Sequence, residues 1–292
     1  MYHVIGKIWF LFSLLPFRAL YFLSDILYFP LYYCIRYRRK IVRKNLLNAF
    51  PEKDLKTIVE IEKKYYSFFC DYIVETIKLL SISEKNIRKR MTFEGMEEVI
   101  KETGNDKSCV LYLGHYCNWE WITSIPLHLS NSRFVFGQVY QPLQNKSFDK
   151  LFLKVRKRFN SQNIPRKSIL RSITDFKQTN KQFVIGFISD QTPQGHSNHC
   201  WIDFLNQDTC VFLGTEHIAC KTQSAVFYLD ITRIKRGYYN CKFILLSSEP
   251  QKLPEYKLTS MYFQHLEKTI HRNPPYWLWS HNRWKRPRTV NQ

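Results

Sequence analysis

From residue 108 onward, short apolar runs alternate with helix-patterned stretches, and this alternation limits the fold more than any other feature of the chain. Residues 108–113, 133–140, 182–188, 224–234 and 239–247 read as strands. Residues 118–129, 148–159, 168–178, 213–222 and 261–272 read as helices between or after them. Strands separated by helices predict an α/β domain with a mostly parallel central sheet flanked by helices. The lead-in is helical. Leu55, Ile58, Ile61, Tyr65, Phe68, Phe69, Tyr72 and Ile73 recur at helical spacing, predicting one or two helices over 53–78 and a short one over 83–90. In such sheets ligands bind beyond the carboxyl ends of the strands. His115 and Asp190 each follow a predicted strand by two residues, so both are expected at one edge.

The first of these strands leads into Gly114-His115-Tyr116-Cys117-Asn118-Trp119-Glu120. A histidine that takes a proton from an alcohol needs a pKa near neutrality. It also needs a partner that fixes its tautomer and offsets the charge it gains. Glu120 can supply both functions. On a continuous helix, positions five apart lie well round the axis from each other. The pair can therefore meet only if His115 sits in the loop and Glu120 in the first turn of the helix. A histidine beside Trp and Tyr is often structural, so this pair alone does not assign a chemistry.

With 292 residues, 45% of them hydrophobic, the chain is long enough for one large domain with its own core. Nine glycines and no Gly/Ser-rich run argue against a flexible linker to a second domain. Eight scattered cysteines include no C-x2-C pair; they read as small apolar residues in a reducing compartment. No H-E-x2-H or similar cluster occurs, so no metal or cofactor is expected. The net charge of +20 implies polyanionic company, whether nucleic acid, anionic lipid or an acidic carrier.

Residues 8–35 are intensely apolar and aromatic but interrupted by Pro16, Arg18, Asp25 and Pro30. Arg18 and Asp25, seven apart, share a helix face, which favours a segment lying in the membrane interface over a single kinked span. The apolar region is too long for a cleaved signal, and no small-residue cleavage site follows it. A basic cluster follows, from Arg36 to Lys44, and is attracted to an anionic leaflet; by the positive-inside tendency the rest of the chain is cytoplasmic. Residues 1–35 are thus expected to form a membrane anchor. Residues 36–292 would form the working domain, with a basic helical lead-in over 36–100 and an α/β core over about 101–292.

The block from Gly114 to Trp121 resembles the H-x4-D/E block of the lysophospholipid acyltransferase superfamily. Its Asn-Trp-Glu ending is similar to that of the late acyltransferases of lipid A biosynthesis in Gram-negative bacteria. Further blocks agree in order: Val139-Tyr140-Gln141-Pro142-Leu143-Gln144-Asn145, Asn163-Ile164-Pro165-Arg166, Ser189-Asp190-Gln191-Thr192-Pro193, and the closing 274–285 segment with Trp277, Trp279 and Trp284. There are two departures. Cys117 stands where relatives often have glycine, and the segment before Arg166 lacks a glycine often found there.

The resemblance implies transfer of a fatty acyl group from a thioester to a hydroxyl of a lipid A precursor, another lysolipid or an aminolipid. The donor would be acyl carrier protein or acyl-coenzyme A, and the setting the bacterial inner membrane with its anionic lipids. His115 would be the general base and Glu120 its partner. Arg166 would stabilise an oxyanion or clamp an acceptor phosphate. Asn118 would cap the helix or meet substrate, and Asp190 and Gln191 would fix the sheet edge or bind acceptor polar groups. No G-x-S-x-G elbow is present, so direct transfer is favoured over an acyl-enzyme on Cys117. The C-terminal tryptophans, alternating with basic residues, suit a lipid interface. They would also suit single-stranded nucleic acid, but no RRM, KH or helix-turn-helix signature supports that rival, and no nucleic acid is expected. A lipid-binding scaffold without turnover would not need the His-Glu pair.

Overall fold

The computed structural model describes residues 2–286 and 288, except 130–132, 144 and 194–198. Gln144 of the acceptor-side block therefore lies outside the described residues. Helices α1 (Tyr2–Leu14) and α2 (Phe17–Phe29) are separated at Pro16, and a π-helical turn, Pro30–Cys34, continues α2. Next come α3 (Arg39–Ala49), α4 (Leu55–Lys78) and α5 (Glu84–Arg90). Of the two arrangements expected over 53–78, the chain takes the single helix. Asp54 starts it by accepting from the Thr57 N–H at 3.0 Å.

Helix α4 carries three buried carboxylates, Glu62, Asp71 and Glu75, and they tie the amino-terminal helices down. Tyr32 donates to Glu62 (2.9 Å) and Ser24 to Asp71 (2.8 Å). Arg236 bridges Asp71 and Asp25 on α2, each at 2.6 Å. Buried carboxyl groups need partners: Glu62 and Asp71 are paired with arginines, while Glu75 is held by hydrogen bonds from Tyr21, Asn118 and Tyr239. The opposite side of this unit leaves Leu11, Leu14, Phe22, Ile26, Phe29 and Ile35 exposed. Among the described residues no single helix is long and apolar enough to cross a membrane. The pair Gly6–Leu14 and Phe17–Cys34 passes that test together but is bent by 118°.

The remaining elements are β1 (Met91–Glu94), α6 (Met96–Thr103), β2 (Cys109–Leu113), α7 (Ile125–His128), β3 (Phe134–Tyr140), α8 (Lys146–Arg156), β4 (Ser161–Pro165), α9 (Ile169–Gln178), β5 (Gln182–Ile188), β6 (His199–Asp203), β7 (Asp208–Phe212), α10 (Gly214–Thr222), β8 (Ala225–Lys235), β9 (Tyr238–Ser247) and α11 (Lys257–Arg272). Seven strands form one sheet in the order β1-β9-β8-β2-β5-β3-β4, with β6 and β7 as a separate antiparallel pair. Strands β8, β2, β5, β3 and β4 run parallel; β9 is antiparallel to β8, and β1 follows β9. The mixed α/β domain with a mostly parallel sheet flanked by helices is therefore observed. Strand β2 is buried throughout and β5 nearly so, as expected of central parallel strands covered on both faces.

The expected helix over 118–129 is a 3₁₀ turn, Trp119–Ser124, followed by the four residues of α7. Pro126, which has no N–H to give, sits at the start of that last turn. Strands β1, β4 and the β6–β7 pair were not expected. The Ser-Gln-Asn-Ile-Pro sequence of β4 is polar enough to read as a loop, and only its pairing with β3 at the sheet edge makes it a strand.

Candidate functional site

The register of the two central strands builds the site. Leu113 of β2 pairs with Ile188 of β5, so His115 and Asp190, each two residues further on, emerge side by side. His115 Nδ1 lies 2.6 Å from Asp190 Oδ1, and the His115 backbone N–H donates to Oδ2 at 2.8 Å. The Trp277 indole N–H donates to the same Oδ2 at 2.8 Å. Gly114 makes room for this approach. A Cβ there would fall 2.6 Å from the Leu266 side chain and 3.3 Å from Asp190 Oδ2.

Burial alone would raise the Asp190 carboxyl, but the charge of His115 and the bonds from His115 and Trp277 outweigh it and hold it down at about 2. An ionised Asp190 can only accept, so Nδ1 must donate, and in the neutral ring the lone pair falls on Nε2. That nitrogen faces the Gln191 side-chain amide at 3.2 Å, while Trp119 sets its edge against the imidazole at 5.1 Å. The His115 ring is thus fixed between Asp190 and Gln191 at the wall of a cavity.

The cavity has a volume of about 310 Å³ and is lined by His115 and Gln191 together with Leu111, Leu113, Ile122, Ile125, Val184 and Gly186. Gly186 pairs with Leu111 on one side and Gln138 on the other, so the row across the sheet lacks a side chain at its centre. The result is a groove with mostly apolar walls that also carries Glu120, Gln138, Arg156 and Ser161, a lining that suits an apolar ligand with a polar group.

The loop that carries His115 is strained and heavily pinned. Cys117 holds a left-handed φ of 51°, which only glycine adopts without strain. Its N–H donates to Tyr276 O at 2.9 Å, and the Leu278 N–H donates to His115 O at 3.0 Å. Tyr116 also forms a β-bridge with Trp277. This departure from glycine is therefore accommodated by the closing segment, which clamps the loop.

A family model of bacterial lipid A biosynthesis acyltransferases matches residues 2–286. The chain belongs to this family. Comparison with curated proteins finds no match.

In this acyltransferase the expected site residues fall in different places. Asp190, not Glu120, is the carboxylate on His115. Glu120 lines the cavity but is gripped by Arg156 of α8, with Nε at 2.8 Å from Oε2 and Nη2 on Oε1. The 3₁₀ turn aims Glu120 at α8, which is why five residues of separation do not bring it back to the ring. Asn118 stands at the cap position but makes no capping bond and does not line the cavity. It is fully buried and donates to Glu75 at 2.7 Å. Arg166 follows the edge strand β4 and lines a neighbouring hollow of about 240 Å³, its guanidinium 4.4 Å from the Phe212 ring centre. Gln191 borders both hollows.

Two of the closing tryptophans also depart from expectation. Trp277 and Trp279 are buried rather than turned to an interface, and their indole N–H groups donate to Asp190 and to Pro274 O. Arg156 and Trp277 are the residues the sequence reading missed in this role. Trp277 stands in the closing segment, where its basic neighbours suit a lipid interface, and Arg156 is one of many basic residues on a helix. Among the described residues, no group of three or more His, Cys, Asp or Glu could hold a metal ion. The cysteines are free, and burial pushes the Cys117 thiol well above its ordinary range, the opposite of an activated nucleophile.

Proposed function

We propose that this acyltransferase moves a fatty acyl group from a thioester to a hydroxyl of a lipid A precursor, with His115 as general base. The observation that carries the reading is the orientation of His115: Nδ1 is engaged by Asp190, and Nε2 meets only the Gln191 amide at the cavity, a contact that an acceptor hydroxyl would replace. The acyl chain lies in that cavity with its thioester carbonyl at the mouth. His115 Nε2 takes the hydroxyl proton as the oxygen attacks the carbonyl carbon, forming a tetrahedral oxyanion. Collapse expels the thiolate, which recovers the proton from the imidazolium. General-base help of this kind is worth roughly 10²–10⁴-fold in rate. In this reading Asp190 takes the orienting role expected of Glu120. Arg156, held in place by Glu120, keeps spare N–H groups at the cavity wall for the oxyanion.

Arg166 in the adjoining hollow serves the acceptor, whose anionic groups suit a planar guanidinium. The donor is acyl carrier protein or acyl-coenzyme A, both of which are anionic and suit a chain of net charge +20. The exposed apolar side of α1 and α2 and the adjoining Arg36–Lys44 cluster rest on the cytoplasmic leaflet of the bacterial inner membrane.

The test is lipid mass spectrometry on cells lacking the protein, complemented with the intact chain or with His115→Ala. One lipid should lose one acyl chain, restored only by the intact chain. Restoration by His115→Ala would overturn the base assignment, and an unchanged lipid profile would overturn the acceptor.

A further inference from the structure

Glu75 lies near the end of α4, fully buried and outside both hollows, yet each of its carboxylate oxygens is engaged. Oε2 accepts from Asn118 Nδ2 at 2.7 Å and from the Tyr239 hydroxyl at 2.8 Å. Oε1 accepts from the Tyr21 hydroxyl at 2.9 Å. The Glu75 backbone carbonyl accepts from the Trp121 indole at 3.3 Å. Two of these partners matter for the site. Asn118 is three residues from His115 and follows the strained Cys117 directly. Tyr21 belongs to α2, whose outer side leaves Phe22, Ile26 and Phe29 exposed. A second contact runs in parallel, with Phe17 of α2 edge-on to Trp121 at 6.3 Å.

A buried carboxylate is a poor choice for stability alone, since a well-packed apolar residue does as well or better. What it supplies is direction: two oxygens that receive specific donors from α2, from the His115 loop and from β9. The loop needs such a hold, because the left-handed Cys117 would relax if its neighbours let go.

We propose that Glu75 is a positioning residue that couples the seating of α2 to the placement of the His115 loop. With α2 in place, Tyr21 fixes one oxygen of Glu75 and the other stays aimed at Asn118. The loop then presents His115 to Asp190. When α2 is displaced, Glu75 loses that donor, turns toward the gap and releases Asn118. The apolar side of α2 thereby becomes a sensor for the lipid surface on which the acceptor lies. This inference rests on His115 being the base.

The experiment uses the full chain in phosphatidylglycerol vesicles. Acyl-carrier-protein thioester is the donor, and lipid extracted from cells lacking the protein is the acceptor. Tyr21→Phe, Asn118→Ala and the double variant are compared, with His115→Ala beside them. Tyr21→Phe should lower kcat about tenfold, the scale of one buried hydrogen bond, while KM stays within about twofold. The double variant should be little worse than the more damaged single variant, because both act through one carboxylate. An unchanged kcat in Tyr21→Phe, or losses that simply multiply, would overturn the coupling. A lower melting temperature with normal kcat would show a merely structural contact and overturn it too. Should Asn118→Ala fail to fold by circular dichroism, Glu75→Gln, which keeps the shape, replaces it. It should lower kcat, and adding Tyr21→Phe should then cost nothing further; a full additional loss would overturn the proposal. Activity surviving in His115→Ala would overturn the base assignment instead, whatever Tyr21→Phe does.

Discussion

Asp190 grips His115 twice, through the ring at 2.6 Å and through the backbone N–H at 2.8 Å, so one carboxylate sets both the tautomer of the imidazole and the position of its loop. The pairing makes a sharp distinction between the two acidic residues near the ring. In Asp190→Asn, two N–H donors crowd the Oδ2 position, so the amide oxygen must go there and the NH₂ must face Nδ1. Nδ1 would then have to accept, moving the proton to Nε2 and removing the base. The expected loss in kcat is about 10³–10⁴-fold. Glu120→Gln leaves the tautomer alone and should lose much less. Steady-state kinetics on the two purified variants decides it, and the reverse ranking would return the partner role to Glu120.

Stability in acid follows from the same carboxylate. Its pKa in the folded chain is about 2, below the ordinary 3.8, so its contribution is complete above about pH 4 and is lost as the pH falls toward 2. The amount is about 2 kcal/mol. Urea midpoints measured between pH 5 and pH 2 should fall more steeply for the native chain than for Asp190→Asn. Parallel curves would show that Asp190 gains nothing from its partners.

Cys117 offers a test of both strain and chemistry. Cys117→Gly removes the left-handed strain and should stay within about 1 kcal/mol of the native stability, the relief offsetting lost burial and added chain entropy. It should keep its activity, because the thiol plays no part in direct transfer. Cys117→Val places a β-branched side chain at a φ of 51° and should destabilise by about 1–2 kcal/mol or more. Thermal melts and single-turnover assays read both. Loss of all turnover in Cys117→Gly would revive an acyl-enzyme.

Gly186 leaves the gap at the centre of the groove. A Cβ there would meet Leu113 at 3.5 Å, an ordinary contact, so Gly186→Ala should fold with less than about 1 kcal/mol of change. Gly186→Leu should fill the groove and shift the transferred chain to a shorter length in product mass spectra. An unchanged chain length would place the acyl group elsewhere.

Much of this architecture is legible in the residues. The buried runs of β2 and β5 announce themselves by composition, and their ends place His115 and Asp190 at one edge. What cannot be read is adjacency. That β2 lies beside β5, in the register that joins Leu113 to Ile188, depends on strand order, which periodicity does not encode. The sequence reading therefore paired His115 with the carboxylate five residues away rather than the one 75 residues away. The Glu120–Arg156 pair was hidden for the same reason, compounded by the 3₁₀ turn that replaces the expected helix. The burial of Trp277 was missed because aromatic residues among basic ones suit an interface as well as a clamp. The polar composition of β4 concealed a strand that only edge pairing reveals.

Trp277 completes the grip on Asp190 from a position near the carboxyl terminus, and it bridges Tyr116 as well. Without Trp277, Oδ2 of Asp190 would lack one of its donors and the His115 loop would lack its clamp. One indole is therefore a shared fastener: loosening it would free the carboxylate and the histidine loop together rather than one after the other.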